Sequence, residues 1–166
     1  KNRIVFISGA TSGIGKSCAY AFAKEGANLI INARRKNILD EIAVDIKNKF
    51  GVKVYSFQLD VRNKNEVDDA INSLPDEWKN IDILINNAGL AKGLSKFYED
   101  DPQNWEEMID TNVKGLLYVT KAILPGMIER KFGHIINIGS IAGHSAYPKG
   151  AVYCATKHAV DAITHS

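Results

Sequence analysis

Short runs of β-branched apolar residues alternate with longer segments of helical period along the whole chain. The runs indicate strands at residues 3–8, 28–32, 53–59, 82–86 and 134–138. Strands that alternate with helices are joined by crossovers, which build a parallel sheet with helices on both faces. The pattern therefore predicts an α/β fold with a doubly wound parallel sheet.

The longest connection is predicted as one helix. Asp101 supplies a capping carboxylate and Pro102 fits the first helical position, while Arg130 and Gly133 are typical of a helix end. We expect Pro125 to kink this helix late in its course, because proline removes a backbone donor and clashes with the preceding turn.

Length and charge limit the classes of protein to consider. At 166 residues, with no repeat, low-complexity segment or Gly/Ser linker, the chain fits a single domain spanning residues 1–166. The formal charge of +2 is spread along the sequence and not gathered into a tail. Nucleic acid is therefore not an implied partner.

Cysteine content and hydropathy bear on location. Cys18 and Cys154 are too few for a disulfide framework and match no metal-ligand spacing, so no metal is expected and a reducing compartment is the simplest interpretation. No apolar stretch approaches the ~20 residues that span a bilayer. We expect a cytoplasmic protein that does not contact a membrane.

The stretch SGATSGIGKS lies where the first predicted strand turns into a helix. Glycines at such a turn let backbone amides approach a phosphate at the positive end of the helix. The spacing Gly9, Gly13, Gly15 is not GxGxxG, and although GKS at 15–17 also ends a Walker A loop, position 10 is alanine where that loop needs glycine. A nucleoside triphosphatase and a tight turn without ligand are the alternatives at this point.

The glycine spacing resembles the cofactor loop of the classical short-chain dehydrogenases/reductases, with Ser8-Gly9 in place of Thr-Gly. Further stretches agree in order and spacing: LDV at 59–61, NNAG at 86–89, TNV at 111–113, NIGS at 137–140, then Tyr153 and Lys157. The resemblance covers essentially the whole chain. It implies a Rossmann-type dinucleotide-binding domain that transfers a hydride between a nicotinamide cofactor and an alcohol or carbonyl.

The residues after the second strand bear on the choice of cofactor. In dinucleotide folds an acid there binds the ribose 2′-hydroxyl, whereas arginine accommodates a 2′-phosphate. Arg34 and Arg35 occupy this place, and no carboxylate occurs before Asp40. Two guanidiniums can form charge-assisted bonds to a phosphate, so NADP is favoured; the alternative is that both arginines are a solvated approach to the next helix.

The resemblance also implies which residues contact the cofactor. Asp60 and Val61 would meet the adenine, residues 87–89 would lie beside the adenosine ribose, and Asn86 is interpreted as a tie between strands. The predicted cofactor-binding set is Gly9, Ala10, Thr11, Ser12, Gly13, Ile14, Gly15, Arg34, Arg35, Asp60, Val61, Asn87, Ala88, Gly89, Tyr153 and Lys157.

Tyr153 and Lys157 are four residues apart and share one face of a predicted helix. A free phenol titrates near pH 10, so proton exchange near neutral pH needs a charge that stabilises the phenolate. An ammonium about 4 Å away contributes roughly 1 kcal/mol in water and about 4 kcal/mol in a partly desolvated site. The pair is therefore predicted to be the acid-base end of a hydride-transfer site.

Ser140 and Asn112 complete the predicted catalytic set. Ser140 follows the fifth strand, where its hydroxyl can hold a substrate oxygen near the phenol, so Ser140 and Tyr153 are also the predicted substrate-binding residues. By resemblance, Ser140, Tyr153 and Lys157 match the family's catalytic triad. Asn112 matches a fourth member that helps to hold a water of a proton relay.

The four histidines and Cys154 are interpreted mainly as surface or packing residues. His134, His144, His158 and His165 match no metal or nucleophile arrangement and are expected to be surface or packing residues. His144 is also a candidate substrate contact, since it lies in the loop between Ser140 and Tyr153. Cys154 is expected to face the core.

Within the family, the segments around Asn112 and NNAG look most like those of NADP-dependent 3-hydroxy acid dehydrogenases that also oxidise serine. That likeness implies a short 3-hydroxy acid or serine as substrate, although a fold does not fix a substrate. A 3-oxoacyl thioester reductase shares every catalytic residue named here and is the alternative enzyme. A non-catalytic NADPH-binding module is the alternative from another class.

The sequence after the fifth strand is short. A dinucleotide sheet of this kind has six strands, and the helix with Tyr153 and Lys157 reaches the last residue, Ser166. We expect the natural polypeptide to continue with the missing strand and a segment that covers the substrate. The family also implies a homodimer or homotetramer formed through this last helix and the long helix before it.

Overall fold

The computed structural model describes residues 2–93 and 95–166. The strands are β1 (Ile4–Ser8), β2 (Asn28–Ala33), β3 (Val54–Gln58), β4 (Ile83–Asn86) and β5 (His134–Asn137). The α-helices are α1 (Gly13–Lys24), α2 (Lys36–Phe50), α3 (Lys64–Asn72), α4 (Pro102–Ile109), α5 (Leu116–Glu129) and α6 (Ala151–His165). The α/β class is confirmed, and all five predicted strands are present with ends that differ by one residue at most.

The five strands form one parallel sheet in the order β3-β2-β1-β4-β5. The chain runs outward from β1 to β3 and then crosses back to place β4 on the other side of β1. Ligands of open α/β sheets bind at this reversal, outside the carboxyl ends of the strands. The topology therefore puts the residues after β1 and β4 at the expected position of a site.

Two layers of helices cover the sheet, because alternate residues of each strand face opposite sides. In β1, Val5 and Ile7 join a core with α1 and α2, whereas Ile4 and Phe6 join a second core with α3 and α5. The central strands β1, β2 and β4 are almost entirely buried on both faces, as in sheets of parallel strands, whereas the edge strands β3 and β5 are only partly buried. This double packing fixes the strand ends that carry the polar residues.

The connection between β4 and β5 is helical from Pro102 to Glu129, as predicted, but it is not a regular α-helix throughout. Asp101 caps α4 by accepting a hydrogen bond from the Gln103 amide, as predicted, but Asp110–Gly115 forms a π-helical turn before α5 begins. The side chain of Asn112, inside this turn, bonds to backbone outside the helix. Such π turns occur frequently at functional sites.

Other features of the described residues concern thiols, metals and membranes. Cys154 is 2% exposed, so the expectation that it faces the core is confirmed, and both cysteines are unpaired. Within residues 2–93 and 95–166, His, Cys, Asp and Glu side chains form no group of three or more that could hold a metal ion. In the same ranges, no helix has the length and apolar character needed to cross a membrane.

Candidate active site

A cavity of about 570 Å³ opens at the carboxyl edge of the sheet. It is lined by Gly9, Thr11, Ser12, Gly13, Ile14, Asn32, Ala33, Arg34, Arg35, Leu59, Asp60, Val61, Asn87, Ala88, Gly89, Leu90, Ala91, Thr111, Ile138, Gly139, Tyr153 and Lys157. We call this cavity the cleft. Of the residues predicted to bind cofactor, Ala10 and Gly15 do not line it; of the predicted catalytic residues, Asn112 and Ser140 do not.

Ala10 and Gly15 lie under the glycine loop. Ala10 is fully buried and packs into the core beneath α1 and α2. A Cβ atom at Gly15 would overlap the Asn87 side chain and lie 2.5 Å from the Gly9 carbonyl oxygen. These two positions therefore shape the loop from below, and the exposed surface of the loop is formed by its other residues.

Hydrogen bonds lock the glycine loop to the end of β4. The Asn87 Nδ2 donates to the carbonyl oxygens of Ser8 at 3.0 Å and Gly9 at 2.9 Å. In return the Ser8 hydroxyl accepts from the backbone amides of Asn87 at 3.1 Å and Ala88 at 3.0 Å. The Asn87 side chain is thus a brace for the loop, a role that the sequence interpretation missed.

Asn86, the residue before this brace, ties the sheet together as predicted. Its Nδ2 donates to Thr120 Oγ1 at 2.8 Å and to Asn137 Oδ1 at 2.9 Å. The first bond joins β4 to α5 and the second joins β4 to β5. Asn86 does not line the cleft, so the interpretation of this residue as a structural tie is confirmed.

The two arginines after β2 have different surroundings. The Arg35 Nη2 donates to Thr11 Oγ1 at 2.8 Å and to Ser12 Oγ at 3.1 Å, which ties it to the glycine loop. Arg34 is exposed, lines the cleft and has no hydrogen bond or ion pair with the other described residues. One guanidinium is therefore part of the loop, while the other is available to an anionic ligand.

Asp60, at the same end of the cleft, is held in an ionised state. The Arg62 Nε donates to both carboxylate oxygens of Asp60, at 2.9 and 3.0 Å, and the two side chains form an ion pair. Hydrogen bonding from the Arg62 guanidinium lowers the pKa of the Asp60 carboxyl below its ordinary value. The ion pair between Asp60 and Arg62 fixes the wall of the cleft at which adenine is predicted to bind.

Tyr153 and Lys157 lie at the opposite end of the cleft. The Lys157 Nζ is 6.0 Å from the centre of the Tyr153 ring and donates to the Ile138 carbonyl oxygen at 2.8 Å. Lys157 is only 8% exposed, and its burial lowers the pKa of the ammonium below 10.5. The helical spacing thus brings the predicted pair together, with the lysine held by the residue after β5.

The lowered pKa of Lys157 predicts a pH dependence of stability. Since the folded state disfavours the ammonium, its burial is destabilising below the folded pKa, and this effect fades as pH rises from the folded pKa toward the unfolded value of 10.5. Wild type should therefore gain thermal stability relative to Lys157→Met over that window. Melting temperatures of both proteins measured from pH 7 to 10.5 test this, and a constant difference across the range would contradict it.

Asn112 connects three parts of the site. Its Oδ1 accepts from the Leu90 amide at 2.8 Å, and its Nδ2 donates to the Leu90 carbonyl oxygen at 2.8 Å and to Thr156 Oγ1 at 3.0 Å. The Thr156 hydroxyl in turn donates to the Tyr153 carbonyl oxygen at 2.7 Å. The buried carboxamide therefore joins the π turn and the loop after β4 to the helix of Tyr153, and Thr156 is a supporting residue that sequence reasoning missed.

Ser140 begins a short turn between β5 and α6. Its Oγ accepts from the Ala142 amide at 3.2 Å, which caps the single 3₁₀ turn Ile141–Gly143. A Cβ atom at Gly143 would lie 2.7 Å from the Lys157 carbonyl oxygen, so this turn packs closely on α6. Among the described residues, no acceptor takes the Ser140 hydroxyl hydrogen, which leaves it able to donate to a ligand.

His144, the candidate substrate contact, lies outside the cleft. Its Nε2 is 3.8 Å from Asp161 Oδ1, and its side chain is 70% exposed. The Cys154 carbonyl oxygen accepts a hydrogen bond from the His158 Nδ1 at 2.8 Å, which is a contact within α6. A role for His144 toward substrate stays a prediction.

The cleft fits an extended anionic dinucleotide. Its volume lies in the range of small-molecule sites, and the glycine loop presents backbone amides at the start of α1. Gly13 has a positive φ of 52°, and no atom lies within 4 Å of the position of a Cβ there, so a ligand can approach the backbone closely. Guanidiniums stand at one end and the Tyr153 phenol at the other.

Comparison with known proteins agrees with this geometry. The family model described as short chain dehydrogenase matches residues 3–166. The NADP-dependent 3-hydroxy acid dehydrogenase YdfG of Escherichia coli (strain K12) is 49% identical over 154 residues, covering 93% of this chain and 60% of the relative. The NADP-dependent 3-hydroxy acid dehydrogenase of Schizosaccharomyces pombe is 43% identical over 163 residues, covering 98% and 63%.

Solved structures give the same result. The serine dehydrogenase from Escherichia coli superposes with a TM-score of 0.91 at 48% identity, covering 98% of this chain and 73% of that one. The closed form of serine dehydrogenase complexed with NADP+ has a TM-score of 0.92 at 48% identity, covering 98% and 64%. This chain spans about 60% of the length of the bacterial YdfG relatives that it matches.

Proposed function

Since the chain belongs to the short-chain dehydrogenase family, we propose that it transfers a hydride between NADP(H) and the alcohol or carbonyl of a short 3-hydroxy acid or serine. The observation that carries this proposal is the arrangement of the cleft. Tyr153 and Lys157 stand together at one end, and the glycine loop and Arg34 stand at the other. The relatives named above support the choice of cofactor and substrate class.

In the proposed reaction Tyr153 moves the proton. Its phenolic oxygen takes the proton of the substrate hydroxyl during oxidation and returns it during reduction. Lys157, fixed on the Ile138 carbonyl, stabilises the phenolate, and the Ser140 hydroxyl donates to the substrate oxygen. When bound, the nicotinamide supplies the carbon that accepts or gives the hydride.

The other residues of the proposed site bind the cofactor or hold the catalytic groups in place. We assign the glycine loop, Arg34, Arg35, Asp60, Val61 and residues 87–89 to cofactor binding, with Ala10, Gly15 and the Asn87 side chain supporting the loop from below. Asn112 is proposed to hold the helix of Tyr153 in register with the loop after β4. Its two amide hydrogens are already bonded, so a relay water would have to use another group.

Because Arg34 and Arg35 have different surroundings, we expect different effects when each is replaced by alanine. Arg34→Ala should weaken NADPH binding about 10- to 100-fold and leave NADH binding unchanged, because it removes only a charge-assisted contact to the 2′-phosphate. Arg35→Ala should weaken both, because Arg35 also ties Thr11 and Ser12 into the glycine loop. Dissociation constants for NADPH and NADH, obtained by fluorescence titration, measure how each variant changes the two affinities.

Lys36→Ala is the matched control for the loss of a positive charge. Lys36 neighbours the arginines in sequence, but its Nζ is paired with Asp40 at 2.7 Å. Its removal should leave the ratio of NADPH to NADH affinity unchanged. The cofactor assignment is wrong if Arg34→Ala behaves like this control, or if wild type binds NADH at least as tightly as NADPH.

Substrate class is tested by direct comparison. We expect NADP+-dependent oxidation of serine or 3-hydroxypropanoate and little NADPH-dependent reduction of an acetoacetyl thioester. Rates from the absorbance change at 340 nm give kcat/KM for each. Preference for the thioester would favour a 3-oxoacyl thioester reductase, and NADPH binding without turnover of either would favour a non-catalytic module.

Self-association through α5 and α6 is part of the proposal. Leu117 on α5 is 43% exposed, and Ala155 and Ala162 on α6 are exposed. These apolar positions support a homodimer or homotetramer, which light scattering of the purified protein tests. A cytoplasmic location is proposed on the two free thiols.

A further inference from the structure

A second, smaller cavity of about 50 Å³ adjoins the proposed site. It lies between the loop after β4 and the start of α6 and is lined by Lys92, Gly93, Ser95, Phe97, Asp100, Trp105, Met108, Lys149, Gly150, Ala151, Val152 and Tyr153. Tyr153 lines this cavity and the cleft alike. A substrate whose oxygen meets the phenol can therefore place its other end here.

The charged groups of this cavity differ in their partners. Lys92 is paired with Glu107 at 2.6 Å. Asp100 accepts hydrogen bonds from Trp105 Nε1 at 2.7 Å and Asn104 Nδ2 at 3.2 Å, and these bonds lower the pKa of its carboxyl. Lys149 has no hydrogen bond or ion pair with any other residue in the described ranges, so it is the available cation.

The backbone at Lys149 is held in an uncommon conformation. Its φ of 67° lies in the left-handed region, which is unfavourable for a residue with a Cβ atom. The turn is fixed by a hydrogen bond from the Gly150 amide to the Tyr147 carbonyl oxygen at 3.2 Å, and the Tyr147 ring packs so closely on Gly150 that a Cβ there would overlap it. Such strain persists where the surroundings enforce it, and it clusters at ligand sites.

We propose that this cavity receives the carboxylate of the substrate and that Lys149 is its counter-ion. The inference rests on the proposed function, since in a short 3-hydroxy acid the carboxyl carbon lies two bonds from the carbon that loses hydride. A cavity of about 50 Å³ is large enough to hold a carboxylate group. Lys149 thereby selects short acids over neutral alcohols and acyl thioesters.

The test compares 3-hydroxypropanoate with its neutral, nearly isosteric amide. Wild type should prefer the acid. In Lys149→Gln, kcat/KM for the acid should fall about 10- to 100-fold, mainly through KM, because a charge-assisted bond to the substrate is lost. In the same variant, kcat/KM for the amide should stay within about twofold of the wild-type value. Lys149→Arg should keep most of the preference for the acid.

Two further variants test whether the effect of Lys149→Gln comes from the lost charge of Lys149, and not from a change in loop shape or the loss of any nearby charge. Lys149→Gly removes the same charge but relaxes the left-handed backbone, so it should lose acid preference as Lys149→Gln does while its melting temperature rises. Lys96→Gln removes a nearby charge that is paired with Glu99 at 3.5 Å and is not part of the cavity lining, so it should keep wild-type preference.

The outcomes distinguish this inference from the proposed function. If Lys149→Gln lowers kcat/KM for acid and amide equally, or changes neither, Lys149 is not the counter-ion, while wild-type turnover still supports the proposed function. If wild type binds NADPH but oxidises neither compound, the proposed function fails and this inference fails with it.

Discussion

Replacing Tyr153 by phenylalanine should lower turnover by about 10³-fold, within the usual range for a lost acid-base group, and should change NADPH affinity by less than about twofold. The phenyl ring keeps its place beside Lys157 and remains part of the walls of both cavities. The phenolic oxygen, which moves the proton, is lost. Steady-state rates with NADP+ and a short 3-hydroxy acid, together with NADPH titration, measure the two effects separately.

Tyr147→Phe is the matched control. Tyr147 precedes the same helix, but its ring packs on Gly150 and lines neither the cleft nor the smaller cavity. Removing its hydroxyl should leave turnover within about threefold of wild type, well below the effect of losing an acid-base group. Tyr153 does not transfer the proton if its phenylalanine variant retains turnover comparable with this control.

Replacing Gly15 by alanine should destabilise the fold and remove cofactor binding. The added Cβ overlaps the Asn87 amide and lies 2.5 Å from the Gly9 carbonyl oxygen, so Asn87 must leave its two acceptors on the loop. Overpacking and the lost hydrogen bonds together should lower the free energy of unfolding by about 3 kcal/mol. With the loop displaced, NADPH affinity should fall at least about 100-fold, as expected when several phosphate contacts are lost.

Gly13→Ala provides the control within the same loop. Its Cβ would meet no atom within 4 Å, and its positive φ of 52° is the only obstacle. The free energy of unfolding should therefore fall by only about 1 kcal/mol. Urea unfolding of both variants gives the comparison, and equal losses would show that the contact between Gly15 and Asn87 does not hold the loop.

Much of the fold could be predicted because its signals are local. Each strand is a short run of β-branched residues, and polar residues that follow parallel strands meet at one edge. This rule places the residues after β1, β2 and β4 in one cleft without any long-range contact being known. The predicted pair Tyr153 and Lys157 needed only helical spacing.

The supporting contacts could not be predicted, because they join residues far apart in sequence. The Asn87 amide bonds to a carbonyl 78 residues away, and Asn112 reaches Thr156 across 44 residues. No local pattern marks such pairs. The π turn escaped prediction for the same reason, since Asn112 in that turn bonds to Leu90 across 22 residues, outside the helix.

The smaller cavity could not be predicted either, because the residues that line it are far apart in sequence. It brings Lys92 and Lys149, which lie in separate loops, to the same side of Tyr153. In sequence, Lys149 stands between proline and glycine and looks like an ordinary turn residue. Only its left-handed backbone and its place in the cavity lining distinguish it.

Hydride transfer to NADP in the cleft, with Tyr153 moving the proton, can be followed directly with an isotope label. The most direct test supplies 3-hydroxybutanoate deuterated at C3, together with NADP+ or NAD+, to the purified protein and follows the label by mass spectrometry. Deuterium from C3 should appear in NADPH, with far less in NADH. Tight binding of NADPH with no label transferred, or equal transfer to both cofactors, would contradict this prediction.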